Sequence, residues 1–516
     1  MTPPRIMAQG RRYLIAILIG LALIQALSTA AAVFSTRWLF MAIHDTWQAG
    51  VTSDSYATES LPLIALLLLG GSGLVIAVVR VLFRRYGETL GQNYVRDVRI
   101  ALFDHASQMW PRDLAARRAG YVSLRFVGDL TALKDWLARG LPLLVEGVVM
   151  LPAAVIILLV IDPGFGVIGL CLACLALLSL ATMARGLLQA HQRLRAQRGL
   201  LAADLAERLP IAPELAALGR RHTETNLIAR RSAELTQAAV TRITRSEALH
   251  AFPDALTGVA AALLIWWGAA SGLTIGSIAA GLAVLGLTAR PLRDLMGVTD
   301  RASAFRAAHD KLRTALARPV APARRKSSVK LPVGPVTLDL VQACVAKEEP
   351  LTLSLEPGEC GMLPPSADTE AFFRAIAGLE SVVSGKIYLN GRPVERLASS
   401  SLRRSVMRIS EAPCILKGTM SRVLTLGLPE RPTDAAILSR LEEAGLAELL
   451  AKLGGLDQRL PEGGRTLSRA DRIALSLLRA ALGNPGLLLI TGSFRDLGEA
   501  GARWVNAHEA TKLLAS

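Results

Sequence analysis

Residues 255–289 read ALTGVAAALLIWWGAASGLTIGSIAAGLAVLGLTA and contain no charged side chain. This run is too long for a single transmembrane helix, because about 20 apolar residues are enough to cross the hydrocarbon core of a bilayer. The letters SGLTIG at 271–276 interrupt the run with turn-forming residues. The stretch therefore predicts two membrane-spanning helices that are joined by a short hairpin.

Further apolar segments of spanning length precede this hairpin. The six predicted spans cover residues 13–40, 61–80, 141–161, 164–185, 251–271 and 275–297. The loops at 84–140 and 185–250 are rich in arginine, whereas the other three loops contain no Lys or Arg. Because basic loops remain in the cytoplasm, we expect a multi-pass protein of the cytoplasmic (inner) membrane, with both termini in the cytoplasm and the lipid bilayer as a partner.

The composition favours a membrane protein over a nucleic-acid-binding protein. Hydrophobic residues make up 52% of the 516 residues and charged residues 19%, with a mean hydropathy of +0.39. The net charge of +16 is explained by the arginine-rich loops and the positive-inside rule. We therefore expect no nucleic-acid partner. Cys171 and Cys174 lie inside an apolar span, and we interpret them as packing residues rather than metal ligands.

The two arginine-rich loops are long and helical in pattern, so the spans that border them should continue beyond the bilayer. At 1.5 Å per residue, about 25 extra residues would add about 37 Å. Each loop contains a break in helix propensity, from Pro111 to Gly120 in the first and from Pro210 to Pro213 in the second. These two turns are predicted to lie farthest from the membrane.

The composition changes after residue 317, where 318–326 read RPVAPARRK and predict a linker. From Gly334 onward, short β-rich runs alternate with helical ones, which is typical of an α/β domain. Strands are predicted at 336–341, 351–355, 386–389 and 487–490, and helices at 370–379, 434–453 and 467–482. The predicted organisation is a six-helix all-α transmembrane domain at 1–318, a linker at 319–334 and a cytoplasmic α/β domain at 335–516.

Several motifs in a fixed order resemble those of ATP-binding-cassette (ABC) exporters, in which a half-transporter carries a membrane domain and a nucleotide-binding domain on one chain. AGYVSLRFVGDL at 119–130 resembles the first intracellular loop of the family. LEPGE at 355–359 and SGKIYLNG at 384–391 resemble the segments before and after the phosphate loop. EGG at 462–464 and LS at 467–468, with Arg472, lie where the family has its EGG stretch and its LSGGQ signature. The resemblance implies a P-loop-NTPase-like fold for the α/β domain.

The groups that bind and hydrolyse ATP in this family are replaced here. The phosphate loop aligns with PPSADTEAF at 364–372, so Glu370 stands where the family has its lysine. Glu411 replaces a glutamine, and Thr491 and Gly492 stand where carboxylates would bind Mg²⁺ and activate water. A carboxylate in place of the lysine turns an attraction of about 1–4 kcal/mol per charge pair into repulsion. We expect a degenerate nucleotide-binding domain without catalytic residues or bound metal.

Two further expectations concern the altered loop and the end of the chain. Asp368 and Glu370 should occupy the first turn of the helix that follows the loop, where carboxylates are stabilising. The chain is expected to end before the last strand and the histidine that close the site in this family. The domain is therefore predicted to be C-terminally truncated.

Leu467 and Ser468, with Gly463 and Gly464, are the remnant of the signature and are candidates for contacting ATP held by a partner. The resemblance implies a catalytically inactive subunit of a heterodimeric exporter. Its partner, a second half-transporter with intact motifs, would bind ATP and Mg²⁺, and this chain alone would bind no cofactor. ATPase activity is expected only for the complex. The alternative is a membrane regulatory or binding protein that keeps the fold without transporting.

In such an exporter, the turns that contain Pro111, Gly120, Pro210 and Pro213 would couple the soluble domains to the spans. A separate set of residues, Gln25, Ser28, Thr29 and Glu146, places polar groups within the predicted spans. These four residues are candidates for lining a cargo cavity, and hydrogen bonding between helices explains them equally well.

Overall fold

A computed structural model of the chain describes residues 2–48, 62–111, 129–320, 329–345, 349–364, 368–428, 430–491 and 497–515. The chain divides into two compact units, a helical unit that ends at Arg318 and an α/β unit whose main part begins at Pro319. The division falls at the start of the Pro- and Arg-rich stretch, where the composition changes.

The helical unit consists of helices, six of which carry the predicted spans. They are α1 (Gln9–Gln48), α2 (Leu63–Ser107), α3 (Leu141–Ile161), α4 (Pro163–Arg208), a short α5 (Ala212–Ala217), α6 (Arg221–Ala270), α7 (Ile275–Met296) and α8 (Val298–Leu316). Within the described residues, five helical stretches are long and apolar enough to cross a bilayer, and the apolar part of α4, Pro163–Ser179, is shorter. An all-helical, multi-pass arrangement satisfies the backbone hydrogen bonds that a bilayer cannot.

Short turns connect α3 to α4 and α6 to α7. The hairpin predicted at 271–276 is confirmed, because α6 ends just before it and Gly272 takes a left-handed φ of 66°. The Thr274 side chain then caps α7 by accepting a backbone N–H at 3.3 Å. Asp162 caps α4 in the same way, with its Oδ1 accepting two backbone N–H groups at 2.8 and 3.3 Å. Short side-chain acceptors thus allow one helix to start directly after another ends.

The predicted extensions beyond the bilayer are confirmed in length. Helices α2, α4 and α6 contain 45, 46 and 50 residues, about twice the number that crosses the hydrocarbon core. Helices α4 and α6 pack against each other. The extended part of α2 is buried on one side through Leu90, Tyr94 and Val98, so packing rather than propensity alone stabilises it.

The break predicted between Pro210 and Pro213 is present, but it is helical. Leu209–Ile211 forms a 3-10 turn, and α5 follows it directly. Both prolines are the second residues of these elements, within the first turn, where a backbone N–H has no helical partner in any case. The turn into α6 comes later, at Gly219, whose φ of 72° favours glycine.

The α/β unit contains ten strands within its described residues. They are β1 (Leu338–Cys344), β2 (Leu351–Leu355), β3 (Cys360–Leu363), β4 (Ser384–Leu389), β5 (Arg392–Pro393), β6 (Val406–Ile409), β7 (Gly418–Thr419), β8 (Arg459–Leu460), β9 (Leu487–Thr491) and β10 (Thr511–Ala515). One sheet is antiparallel in the order β2-β1-β4-β5, and a second is parallel in the order β3-β10-β9-β6. Strands β7 and β8 form a short antiparallel ribbon.

Helices surround the parallel sheet. They are α9 (Thr369–Ile376), α10 (Ser399–Ser405), α11 (Met420–Leu424), α12 (Asp434–Glu443), α13 (Ala447–Lys452), α14 (Arg469–Gly483) and α15 (Gly498–Ala507). The helix predicted at 434–453 is in fact two helices, because Gly445 adopts a φ of 68° and ends the first of them.

The parallel sheet also contains strands that the sequence pattern does not predict, namely β3, β6 and β10. Strands β3 and β6 are only four residues long, too short to show a clear period. Strand β10 is buried along its whole length, so it lacks the alternating pattern of a half-exposed strand. Strand β10 pairs with both β3 and β9. The expectation that the chain ends before a last strand is therefore wrong.

The α/β unit also begins earlier than its predicted start at residue 335. Leu331 is buried, and its N–H donates to Ser401 Oγ at 2.7 Å. The last residues of the predicted 319–334 linker therefore pack with the α/β unit.

Candidate functional site

The carboxyl ends of β3, β10, β9 and β6 meet at one edge of the parallel sheet, which is where open α/β sheets usually bind ligands. The loop into α9 follows β3, Glu411 lies just after β6, and Thr491 ends β9. The topology therefore brings Glu370, Glu411 and Thr491 to one edge, which we call the strand-end edge. Gly492 follows Thr491 and lies outside the described residues.

Helix α9 begins at the strand-end edge and is fixed by the core, since Phe372 and Phe373 are fully buried. Asp368 is its N-cap, and the Asp368 Oδ1 accepts a hydrogen bond from Ala371 N–H at 3.0 Å. Glu370 lies in the first turn. The prediction that Asp368 and Glu370 complete this turn is confirmed. Two carboxylates thus occupy the positive end of the helix dipole, where a bound anion is otherwise stabilised.

Two arginines hold the Glu370 carboxylate. Arg408 of β6 donates from Nη2 to both carboxylate oxygens of Glu370, at 2.7 and 2.9 Å. Arg374, one turn along α9, lies 3.5 Å from Glu370 and 3.4 Å from the buried Glu380. These four side chains, which we call the Glu370 cluster, balance in charge. The cations of the cluster are therefore already paired with carboxylates of the chain itself.

A second ion pair lies at the strand-end edge, between Arg469 at the start of α14 and Glu411. Both side chains are exposed, at 62% and 42%. Exposed pairs contribute only about 0–1 kcal/mol, so this pair positions the two side chains more than it stabilises the fold.

Ser468 is the N-cap of α14 and forms a capping box with Asp471. Asp471 Oδ2 accepts from the Ser468 backbone N–H at 3.0 Å and lies 2.8 Å from the Ser468 hydroxyl. Gly463 and Gly464 take left-handed φ values of 66° and 61° just before it, and Leu467 N–H donates back to the Gly464 carbonyl at 3.0 Å. The Ser468 hydroxyl is therefore engaged by its own helix.

Further contacts fix the strand ends. Thr491 Oγ1 donates to the Ile409 carbonyl at 3.0 Å and so ties β9 to β6. Arg479 of α14 donates to two backbone carbonyls at 3.0 and 2.8 Å, and burial lowers the pKa of its guanidinium. The sequence pattern does not single out Arg408 or Arg479, and their only signal is an arginine within or beside an apolar run.

In the helical unit, residues of α1, α2, α3 and α7 surround a cavity of about 200 Å³. Gln25, Thr29 and Glu146 line it, and Ser28 is half-buried but is not a lining residue. Gln25 Nε2 donates to Glu146 Oε1 at 2.8 Å, and Thr29 Oγ1 donates to the Gln25 carbonyl at 2.9 Å. The Gln25–Glu146 bond joins α1 to α3, so the same pair both connects helices and faces the cavity.

Arginines that the sequence pattern does not mark as site residues also line this cavity. They are Arg80 and Arg84 of α2 and Arg290 of α7. In the sequence these residues look like ordinary basic groups at the ends of spans. Arg290 lies 3.7 Å from Asp294, a further lining residue. The cavity wall therefore carries charges of both signs.

Residues 14–290 match the family model described as the ABC transporter transmembrane region. This match spans more than half of the chain, from α1 to the end of the apolar part of α7. The chain belongs to the ABC transporter family. The six predicted spans and the cavity all lie within, or directly beside, the part of the chain that carries the match.

Relatives of this ABC transporter subunit extend the likeness along the chain. It is 20% identical over 447 residues to the uncharacterized ABC transporter ATP-binding protein YknV of Bacillus subtilis (strain 168), covering 82% of this chain and 72% of YknV. It is 23% identical over 495 residues to the glutathione/L-cysteine transport system ATP-binding/permease protein CydD of Escherichia coli (strain K12), covering 89% of this chain and 84% of CydD.

A solved structure of a bacterial Atm1-family ABC exporter with ATP bound has the same fold, with a TM-score of 0.77 and 18% identity. The match covers 98% of this chain and 91% of that chain. The ABC exporter fold therefore extends over both units, and the chain has the organisation of a half-transporter.

In this ABC transporter subunit, the turn between α4 and α6 is fastened by an ion pair. Arg208 Nε lies 2.7 Å from Glu224 Oε2, and Arg220 approaches the other oxygen at 3.1 Å. Hydrogen bonds from Arg208 and Arg220 lower the pKa of the Glu224 carboxyl below its usual value. The other predicted turn runs from Pro111 to Gly120. Pro111 is the last described residue before a gap, and Gly120 lies outside the described residues.

Proposed function

We propose that this ABC transporter subunit is the catalytically inactive half of a heterodimeric exporter. ABC exporters work as dimers in a membrane, and the family match makes this chain one such subunit. In the proposal, the α/β unit is a degenerate nucleotide-binding domain. A second half-transporter with intact motifs binds ATP and Mg²⁺ and hydrolyses the ATP.

The observation that carries the proposal is the environment of Glu370. This carboxylate lies in the first turn of α9 after β3, where a phosphate-binding helix would offer its N-terminus to an anion. Its charge is held in place by Arg408. Taken alone, this carboxylate would repel a phosphate charge at 4 Å by about 1–4 kcal/mol in a wet or partly wet site. The two arginines of the Glu370 cluster offset part of that repulsion, but they are already paired with Glu370 and Glu380 and do not replace the lysine of the family. The Asp368 side chain also accepts a hydrogen bond from Ala371 N–H, one of the backbone groups that a phosphate would need.

The other groups at the strand-end edge do not fit ATP and Mg²⁺ either. Thr491 donates its hydroxyl to a backbone carbonyl, and the carboxylate of Glu411 is paired with Arg469. Mg²⁺ at such sites is held by an ionised carboxylate and a Ser or Thr hydroxyl. We assign no catalytic step to these residues.

In the proposed heterodimer, Gly463, Gly464, Leu467 and Ser468 face the nucleotide held by the partner. The carboxylate of Asp471 already occupies the N-terminus of α14, which weakens the site for a second anion. We therefore expect this segment to contribute little to hydrolysis by the partner, and Ser468→Ala to lower ATPase activity of the complex by less than about threefold, or about 0.6 kcal/mol.

We further propose that the protein spans the cytoplasmic (inner) membrane and that both termini and the α/β unit lie in the cytoplasm. The arginine-rich extensions support this orientation through the positive-inside rule. The turns near Pro111 and Gly120, and at Pro210 and Pro213, then transmit the closing of the soluble domains to the spans. This motion alternates access to the cavity between the helices.

The test begins with tagged full-length chain purified from its native membrane. We expect a half-transporter with an intact phosphate loop to co-purify. The complex should hydrolyse ATP, and replacing the phosphate-loop lysine of the partner by alanine should abolish that activity. Glu411→Gln in this chain should leave the activity unchanged.

The chain purified alone should show no magnesium-dependent ATP binding. Saturable MgATP binding or hydrolysis by the chain alone would refute the inactive-half proposal. Capture of an intact partner whose complex hydrolyses ATP without moving any cargo would favour the regulatory alternative.

A further inference from the structure

Two of the cations that line the cavity of the helical unit have no partner among the described residues. Arg80 and Arg84 lie one helical turn apart on α2, and both line the cavity. Both residues are exposed, and neither makes an ion pair or a hydrogen bond within the part of the chain that the structure describes. A charged guanidinium at the edge of a membrane-spanning helix is costly without a counter-ion or water.

The other charged groups of the wall do not neutralise these two arginines. Asp294 lies 3.7 Å from Arg290 and offsets that charge. Glu146 has one oxygen bound to Gln25 at 2.8 Å. Among the described lining residues, three arginines face two carboxylates, which leaves a net charge of +1.

Apart from Gln25 and Thr29, the uncharged part of the wall is mainly apolar, with Ile76, Phe83, Leu143, Met150 and Leu287 among its residues. The volume of about 200 Å³ lies below the range of about 300–1,000 Å³ that is usual for drug-sized ligands. An arginine fork matches the planar geometry of a carboxylate. A small molecule with an anionic group and an apolar part therefore complements this wall.

We propose that this cavity binds a small organic carboxylate, with Arg80 and Arg84 donating to its anionic group. The second oxygen of Glu146 accepts an N–H of the same molecule. The inference rests on the proposed function, because it names the class of cargo that the exporter subunit receives. It concerns binding alone and requires neither ATP nor the partner.

The test uses the full-length chain in nanodiscs of phosphatidylcholine and a matched pair of probes, hippurate and its neutral amide N-benzoylglycinamide. Ligand-observed NMR titrations give the two dissociation constants. We expect hippurate to bind at least about tenfold more tightly than the amide, since one charge-assisted contact is worth about that factor. Equal affinity for the two probes would overturn the proposal.

The variant Arg80→Gln/Arg84→Gln should weaken hippurate binding at least about tenfold and leave the amide unchanged. The control is Arg85→Gln, which removes the neighbouring arginine of α2 that does not line the cavity. We expect this control to bind hippurate like the unchanged protein. If both variants weaken binding equally, general surface charge is responsible and the proposal fails.

The variant Glu146→Gln shows whether the arginine variant loses binding only because it misfolds. Its predicted effect is tighter hippurate binding, which misfolding does not produce. It keeps an acceptor oxygen and removes a negative charge near the carboxylate, so hippurate affinity should rise by about fivefold. A fall in affinity would overturn the proposal.

A second set of nanodiscs contains phosphatidylglycerol and tests whether the arginines serve lipid phosphate instead. We expect the same hippurate affinity in both membranes. Loss of hippurate binding in the anionic membrane would assign Arg80 and Arg84 to lipid headgroups and overturn the proposal. Failure to find an ATP-hydrolysing partner would refute the proposed function and leave these binding results unaffected.

Discussion

The contact between Glu370 and Arg408 predicts a measurable coupling between the two side chains. Arg408 donates to both oxygens of Glu370 at 2.7 and 2.9 Å, and the exposed fractions of the two side chains are 23% and 45%. A protected hydrogen bond between charged groups is worth about 1.5–3 kcal/mol, and a fully exposed pair about 0–1 kcal/mol. The partial exposure places this pair between those ranges, at about 1 kcal/mol.

Glu370→Gln should therefore cost about 1–2 kcal/mol, because the substitution also removes a charge from the positive end of α9, worth about 0.3–1 kcal/mol. Arg408→Gln should cost about 1 kcal/mol. The double variant should be at most a few tenths of a kcal/mol less stable than Glu370→Gln alone, because both single substitutions remove the same contact. For a domain the size of the α/β unit, 1 kcal/mol corresponds to about 2–4 °C in Tm.

The assay is thermal unfolding of the full-length protein in detergent, with the transition of the α/β unit followed separately by hydrogen exchange of peptides from α9 and β6. Glu448→Gln is the matched control, because Glu448 lies in the first turn of α13 and makes no ion pair within the described residues. That control removes the dipole effect alone. Strictly additive losses for Glu370→Gln and Arg408→Gln would refute the claimed coupling, as would a coupling that does not shrink when salt is raised.

The remaining predictions concern other contacts. The pKa of Glu224 is lowered mainly by the Arg208 hydrogen bond, so the stability that this pair adds is present above the ordinary value of 4.5 and is lost as the pH falls below it. Hydrogen exchange in the turn after α4 should increase over that acidic range, and Glu224→Gln should remove the pH dependence. Gly164→Ala should cost about 1–3 kcal/mol in thermal unfolding, because the added methyl group would overlap the indole of Trp267, and an unchanged Tm would contradict this. Thr491→Val should cost about 1 kcal/mol by removing the hydroxyl that bonds to the last carbonyl of β6, whereas a stabilised variant would contradict this role.

Much of the helical unit follows from the sequence because a bilayer imposes a single length scale. An apolar run either reaches across the hydrocarbon core or does not, and uncharged turns such as 271–276 mark the ends of the spans. The extensions of α2, α4 and α6 follow from helical periodicity in the arginine-rich loops. The helical form of the break at Pro210 could not be predicted from the sequence. A proline ends a helix but is also favoured in the first turn of the next one, so it does not show which structure follows.

The α/β unit was less predictable from local pattern, because several of its strands are too short to show a clear period. Strands β3, β6 and β10 are short and belong to a parallel sheet, so neither alternation nor length distinguishes them from helix fragments. The partners of the candidate residues were also hidden. Arg408 lies 38 positions from Glu370, and only the pairing of β6 with β9 brings it to the strand-end edge.

Two helices at the strand-end edge begin in the same way, because each has a carboxylate of the chain at its N-terminus. Asp368 caps α9, and Asp471 completes the capping box of α14. A helix N-terminus that normally meets phosphate has unsatisfied N–H groups and a positive dipole when the site is empty. A capping carboxylate of the chain itself accepts hydrogen bonds from these N–H groups and offsets the positive dipole. Each such cap stabilises its helix by about 1 kcal/mol. The carboxylates of Asp368 and Asp471 therefore stabilise the first turns of α9 and α14 without a bound anion, as the proposed inactive half requires.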